Sequence, residues 1–130
     1  MKTGIPARLT KSLEDYLEAV LFLSREKKTV RVTDIAERLR VKKPSVTHAL
    51  NHLSENGFLK SGPYRSVTLT PRGTTAAETL AASHRILKTF LTHILGVPEK
   101  KAEENACRIE HAVDREIIEK LAAFVDRKRS

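Results

Sequence analysis

The chain has 130 residues, a single cysteine and a formal net charge of +8. This length suits one modest hydrophobic core, and a single cysteine excludes an internal disulfide framework. No apolar run approaches the roughly 18 residues of a membrane-spanning helix, and the first residues lack the apolar segment of a signal peptide. We therefore expect a cytoplasmic protein with no membrane partner.

The positive charge is concentrated in the first part of the chain. Residues 1–75 carry 14 basic and 7 acidic side chains, whereas residues 76–130 carry 10 and 9. A basic surface on one part of a small protein is typical of polyanion binding, although a solvated charged surface would give the same composition. The charge indicates which part of the chain would bind a nucleic acid. Whether this part forms a nucleic-acid-binding domain is judged from its predicted helices and strands.

Three helices are predicted before residue 58. Apolar residues recur at helical spacing over residues 12–26, where Ser12 suits the N-cap. A basic linker precedes a short helix that begins with Thr33 as its cap, and Pro44 opens a third helix that Gly57 ends. Two short helices joined by a tight turn form the helix-turn-helix arrangement.

The remaining sequence predicts a hairpin and then three more helices. Apolar and polar residues alternate after the turn sequence SGPYR, as in a β-hairpin. Helical spacing resumes over residues 71–94 and 98–112, and Asp114 suits the cap of a last helix. We therefore predict a mainly α fold, with a winged helix-turn-helix domain in residues 1–72 and a helical domain in residues 73–130.

The third predicted helix has the features of a recognition helix. In a helix-turn-helix, the second helix lies in the major groove and presents its N-terminal residues to base edges. The side chains expected to face DNA from this helix or from the hairpin are Lys43, Ser45, Thr47, His48, Asn51, Lys60 and Arg65. A plain surface helix could show the same face, but helix order, hairpin and charge together favour double-stranded DNA as a partner.

The stretch ENACRIEH places a thiol, a carboxylate and an imidazole on one predicted helix. Cys107, Glu110 and His111 fall within an arc of about 100° on a helix of 3.6 residues per turn. Taken alone, this triplet favours a packed cysteine beside two polar residues.

Two other segments change that balance. Asp15 and Glu18 lie one turn apart on the first predicted helix, and His84 lies in the apolar seam of the long fourth helix. If these helices pack together with the ENACRIEH helix, the mixture of carboxylate, imidazole and thiolate suits a divalent first-row metal ion.

Five segments carry a family resemblance: LTKSLEDYLEAVLFL, RVTDIAERLRVKKPSVTHALNHLSENGFL, YRSVTLTPRG, SHRILKTFLTHILGV and ACRIEH. They are similar to segments of the diphtheria-toxin-repressor and manganese-transport-regulator family of metal-activated repressors, over roughly residues 9–125. The resemblance implies a homodimer with an N-terminal winged helix and a helical dimerisation domain. It also implies that bound Mn²⁺ or Fe²⁺ switches on binding to a palindromic operator before metal-uptake genes.

The resemblance also implies a set of metal ligands. The positions that match ligands of the manganese-type members are Asp15, Glu18, His84, Glu110 and His111. Cys107 departs from that set and matches the iron-type members, which have methionine where this chain has Asp15. Glu103 matches a ligand position of the ancillary metal site in the iron-type members. The resemblance therefore allows for a second metal ion in this chain. The ligand set thus combines features of the manganese-type and iron-type members, and it does not distinguish Mn²⁺ from Fe²⁺ as the bound ion.

Other function classes compete with the metal-activated repressor. The first is a winged-helix transcription factor that metal does not regulate. An enzyme with Cys107 as nucleophile and His111 as base would need an oxyanion site and an orienting third group, which the sequence does not offer, so we expect no enzyme and no small organic substrate. An RNA-binding protein would need exposed aromatic platforms, and the chain has 2 Tyr, 4 Phe and no Trp.

Overall fold

A computed structural model describes residues 9–129, which form six α-helices and three short strands. The helices are α1 (Lys11–Glu26), α2 (Val32–Leu39), α3 (Lys43–Glu55), α4 (Pro71–Thr89), α5 (Glu99–Glu110) and α6 (Arg115–Arg129). The strands are β1 (Val30–Arg31), β2 (Leu59–Ser61) and β3 (Ser66–Leu69). The predicted mainly α fold, with a winged helix-turn-helix first and a helical domain after it, is confirmed.

The chain divides into two compact units between Thr79 and Leu80, within α4. We call the part before this point unit 1 and the part after it unit 2. The domain boundary after residue 72 stays a prediction. Within residues 9–129, no helix combines the length and the apolar character needed to cross a membrane. Residues 1–8, on which the signal-peptide expectation partly rests, lie outside the described residues.

Unit 1 is built around the inward faces of its helices and the start of the hairpin. The largest fully buried side chains are Leu17, Val20, Ile35, Val46, Leu53 and Phe58. Burial of each side chain of this size contributes about 1.5–3 kcal/mol. Arg40 ends α2 in the left-handed conformation, and the Val41 amide then donates to the Ala36 carbonyl at 3.1 Å. This turn leads the chain into α3, which has Pro44 in its first turn as the sequence predicts.

Two predicted helix caps are wrong. The cap of α1 is Thr10, whose hydroxyl accepts from the Leu13 amide at 3.1 Å, while Ser12 lies exposed inside the first turn. Helix α2 begins at Val32, so Thr33 lies inside it, and the Asp34 carboxylate accepts from the Arg31 amide at 2.9 Å. In α2, a carboxylate three residues after the cap position therefore supplies the stabilising contact.

The wing is a three-stranded antiparallel sheet in the order β1-β3-β2. The predicted hairpin is confirmed: Leu59 pairs with Leu69, and Ser61 pairs with Val67, across a 3₁₀ turn at Pro63–Arg65. Strand β1 lies in the stretch interpreted as a basic linker, and it pairs with β3 through Val30 opposite Val67. At the tip of the wing, Tyr64 and Arg65 both have positive φ, 58° and 60°.

Unit 2 packs the rest of α4 against α5 and α6. Its buried centre consists of Leu87, Ala106 and Ile118. The apolar side chains packed around that centre are Ile86, Leu91, Ile109, Val113 and Leu121. The long fourth helix extends to Ile94 as predicted, although its last turn, Phe90–Ile94, is π-helical. Helix α6 follows Asp114, whose carbonyl accepts from the Ile118 amide at 3.2 Å.

Candidate metal centre and nucleic-acid interface

In unit 2, the His84 imidazole of α4 lies between two carboxylates of α5. Its Nδ1 is 2.5 Å from Glu110 Oε1, and its Nε2 is 2.9 Å from Glu103 Oε2. The Glu110 side chain is only 1% exposed, whereas that of Glu103 is 52% exposed. A buried carboxylate is costly unless it is paired and hydrogen-bonded, so the His84 contact makes the burial of Glu110 tolerable.

These contacts change the protonation of the cluster. The hydrogen bond with Glu110 is the main reason that the pKa of His84 rises from 6.5 to about 9, with Glu103 adding to the effect and burial opposing it. Burial by itself would raise the pKa of Glu103, but hydrogen bonds from His84 and Lys88 outweigh it and hold that pKa below its ordinary value. At neutral pH, His84 is therefore a cation that donates from both ring nitrogens.

His111 and Cys107 complete the candidate ligands of unit 2. His111 follows the last residue of α5, its side chain is 4% exposed, and its Nε2 lies 3.5 Å from Glu110 Oε2. Cys107 is half-buried and lies one turn before Glu110. The α5 residue in the buried core of unit 2 is Ala106, which is adjacent to Cys107 in the sequence. Two imidazoles, carboxylates and a thiol form a donor set that fits a divalent first-row metal ion.

The two remaining candidate ligands belong to unit 1. Asp15 and Glu18 lie one turn apart on α1, and both are half-buried. The Lys11 ammonium is 2.9 Å from Asp15 Oδ2, as expected for opposite charges one turn apart. Two half-buried carboxylates on one flank of a helix can supply hard oxygen ligands to a divalent cation.

The predicted DNA-contacting residues lie on α3 and the wing of unit 1. Of the seven, Lys43, Ser45, His48, Asn51, Lys60 and Arg65 are exposed and Thr47 is half-buried. The structure brings five of them, with Pro44, to one open cleft of about 460 Å³ between α3 and the wing; these are Lys43, Thr47, His48, Asn51 and Arg65. Lys60 and Ser45 do not line that cleft, and Ser45 faces a second groove between α1 and α3.

Sequence reasoning missed Lys88 and Tyr64. The Lys88 ammonium on α4 is 3.2 Å from carboxylate oxygens of both Glu99 and Glu103. The sequence shows only a lysine one helical turn after His84. Such a lysine looks like an ordinary solvent-exposed charge, because its carboxylate partners come from α5. Tyr64 is 84% exposed at the tip of the wing, and in the sequence it stands only as one residue of a predicted turn.

Two family models match the chain, one over its first half and one over its second half. Residues 8–67 match the family described as iron dependent repressor, N-terminal DNA binding domain. Residues 70–129 match the iron dependent repressor, metal binding and dimerisation domain. Together the two matches include every candidate metal ligand and every predicted DNA-contacting residue.

Curated relatives agree with these matches. An uncharacterised helix-turn-helix-type transcriptional regulator of Methanocaldococcus jannaschii is 36% identical over 120 residues, which covers 92% of this chain and 96% of that protein. The transcriptional regulator MntR of Lysinibacillus sphaericus is 36% identical over 116 residues, which covers 89% of this chain and 83% of that protein. Both relatives are described as helix-turn-helix-type regulators of transcription.

Solved structures show the same fold. IdeR of T. acidophilum has a TM-score of 0.77 and 28% identity, covering 100% of this chain and 56% of that one. The manganese regulator SloR has a TM-score of 0.80 and 27% identity, with 91% and 55% covered. The chain thus spans about half the length of these solved structures. The chain belongs to the iron-dependent repressor family, the metal-dependent, DNA-binding transcriptional regulators of the diphtheria-toxin-repressor and manganese-transport-regulator type.

Proposed function

We propose that this regulator is a metal-activated repressor of metal-uptake genes that acts as a homodimer in the cytoplasm. In this proposal Mn²⁺ or Fe²⁺ favours the form of the dimer that binds a palindromic operator. The observation that carries the proposal is the cluster at His84, which joins a buried carboxylate, Glu110, to a second nearly buried imidazole, His111. Buried, strongly interacting titratable groups of this kind cluster at functional sites more often than in ordinary cores.

The proposed ligands come from both units. We assign the ion to Asp15, Glu18, His84, Cys107, Glu110 and His111, with Glu103 as the candidate ligand of a second ion. When bound, the metal supplies the positive charge that balances these carboxylates. Glu110 is the last residue of α5 and His111 follows it, so they would hold one side of the ion, while Asp15 and Glu18 would supply the ligands from unit 1.

The ion activates DNA binding only through its preference for the DNA-binding form. A ligand with equal affinity for two forms shifts nothing, and coupling energies of this type are typically about 1–3 kcal/mol, or about 5–150-fold in affinity. In this proposal, that preference comes from the use of ligands on α1 as well as on α5.

Cys107→Ala tests the metal preference. Sulfur is a softer ligand than oxygen, so its loss is expected to weaken Fe²⁺ binding by at least about tenfold and Mn²⁺ binding by less. Competition with a fluorescent chelator under anaerobic conditions measures both affinities. Asn105→Ala, two residues away on α5 and also half-buried, is the matched control. Unchanged affinity and preference for both ions would mean that Cys107 is a packing residue.

The DNA interface is proposed to consist of the α3 face and the wing. Lys43 and Arg65 border the cleft that also contains His48 and Asn51. Arginine and lysine at such positions bind phosphates, while short polar side chains of the recognition helix reach base edges. The exposed Lys60 of β2 would contact the DNA backbone from the wing.

Arg65→Ala tests the contribution of the wing. We expect weaker binding to all DNA sequences, and a plot of log affinity against log salt concentration whose slope is smaller by about one, because one phosphate contact is lost. Fluorescence anisotropy with labelled duplexes at several salt concentrations measures this slope. Lys120→Ala, which removes an exposed charge of α6, should leave it unchanged. An Arg65→Ala slope equal to that of the unaltered protein would remove Arg65 from the interface.

A further inference from the structure

The strongest unassigned feature is a chain of contacts that runs from Lys88 through Glu103 to His84. Both oxygens of Glu103 are engaged: Oε1 is 3.2 Å from the Lys88 ammonium, and Oε2 is 2.9 Å from His84 Nε2. Lys88 also contacts Glu99 at 3.2 Å, so its charge lies between two carboxylates of α5. A second divalent cation beside Glu103 would have to displace this ammonium or lie close to it, at a cost in charge repulsion.

The two nitrogens of His84 therefore have different partners. Nδ1 faces Glu110, a buried carboxylate and proposed ligand, while Nε2 faces Glu103, which is half exposed and already neutralised by Lys88. A histidine that binds a metal through one nitrogen usually donates the N–H of the other to a carboxylate, which fixes the ring orientation and tautomer. Glu103 is placed to be that carboxylate.

We infer that Glu103 is a positioning residue for His84 and not a ligand of a second ion. Held by Lys88, Glu103 accepts the Nε2–H of His84 and thereby leaves Nδ1 for the ion on the Glu110 side. The Lys88 ammonium takes the place that a cation bound by Glu103 would need. This inference rests on the proposed metal centre. It replaces the proposal that Glu103 is a ligand of a second ion.

Nitrogen-15 NMR of the full chain tests which nitrogen of His84 binds metal. The protein is labelled on its five histidines and loaded with Zn²⁺, a diamagnetic probe, and His84→Gln identifies the His84 signals. We expect Zn²⁺ on Nδ1 and a proton on Nε2. Zn²⁺ on Nε2 would overturn the inference while leaving the metal centre intact, and a protein that binds neither Zn²⁺ nor Mn²⁺ would overturn both.

Metal affinity and stoichiometry give an independent readout. Glu103→Ala is expected to weaken Mn²⁺ binding about 10–100-fold with an unchanged number of ions per subunit, because it removes an outer partner of a ligand. Glu103→Gln keeps an acceptor oxygen for the Nε2–H and should recover most of that loss. Glu104→Ala, the adjacent exposed glutamate, is the control. A number of bound ions per subunit that is lower by one in Glu103→Ala than in the unaltered protein would identify Glu103 as a ligand and overturn the inference.

Discussion

Glu110→Gln is expected to weaken Mn²⁺ binding by more than about 100-fold, because loss of a group that merely supports a ligand already costs about 10–100-fold. Glu110 is both a proposed ligand and the main partner of His84, at 2.5 Å. Glutamine has nearly the same shape, so the change removes the negative charge while it keeps the packing around a side chain that is 1% exposed. Calorimetric titration with Mn²⁺ measures the loss.

The effect on DNA binding should follow from the effect on metal binding. At Mn²⁺ concentrations that saturate the unaltered protein, the Glu110→Gln protein should bind DNA as weakly as metal-free protein does. Glu104→Gln, an exposed change on the same helix, should retain both activities. Circular dichroism confirms that each variant is folded. If Glu110→Gln bound Mn²⁺ within about threefold of the unaltered protein, Glu110 would not be a ligand.

Lowering the pH from 8 to 6 is expected to weaken Mn²⁺ binding at least about 100-fold. The pKa of His84 in the metal-free protein is about 9, mainly because of its hydrogen bond to Glu110. Below that pH the imidazole carries a proton that metal binding must displace, so affinity falls about tenfold for each pH unit. The sign is fixed by the raised pKa: acid stabilises the protonated, metal-free form, and binding strengthens up to about pH 9.

Titrations at several pH values separate His84 from other groups. His84→Gln should reduce the slope of log affinity against pH by one, whereas His48→Gln, an exposed change on α3, should leave the slope unchanged. Cys107 adds a further proton to the slope if its sulfur is a ligand, since the thiolate is the form that binds metal. An affinity that stays constant between pH 6 and 8 would exclude a protonated His84 at the centre.

The helix-turn-helix was predictable because each of its parts has a local signal. Pro44 in a first helical turn, Gly57 after a helix and the alternation around Val67 all specify backbone conformation within a few residues. Strand β1 was not predictable in this way, because two residues carry no alternation and the strand exists only through its pairing with β3. The cap of α1 was misplaced because Thr10 and Ser12 are both residue types that favour the N-cap. In the structure it is the Thr10 hydroxyl that accepts the hydrogen bond from the Leu13 amide.

The candidate metal centre was likewise only partly predictable from the sequence. Glu110 and His111 stand out in the sequence because they share one helix face with Cys107. The carboxylate pair around His84 depends on α4 packing beside α5, over a separation of 26 residues between His84 and Glu110. The role of Lys88 was hidden for the same reason, since its partners are set by that packing and not by its sequence neighbours.

The central claim is that metal controls DNA binding, and fluorescence anisotropy on a labelled duplex from upstream of the gene for this protein tests it directly. The same protein is titrated in chelator, in Mn²⁺ and in Fe²⁺ under anaerobic conditions. We predict that Mn²⁺ or Fe²⁺ tightens DNA binding by about 5–150-fold and that excess chelator reverses the change. Equal affinity in chelator and in saturating metal would contradict the account and would favour a winged-helix transcription factor that metal does not regulate.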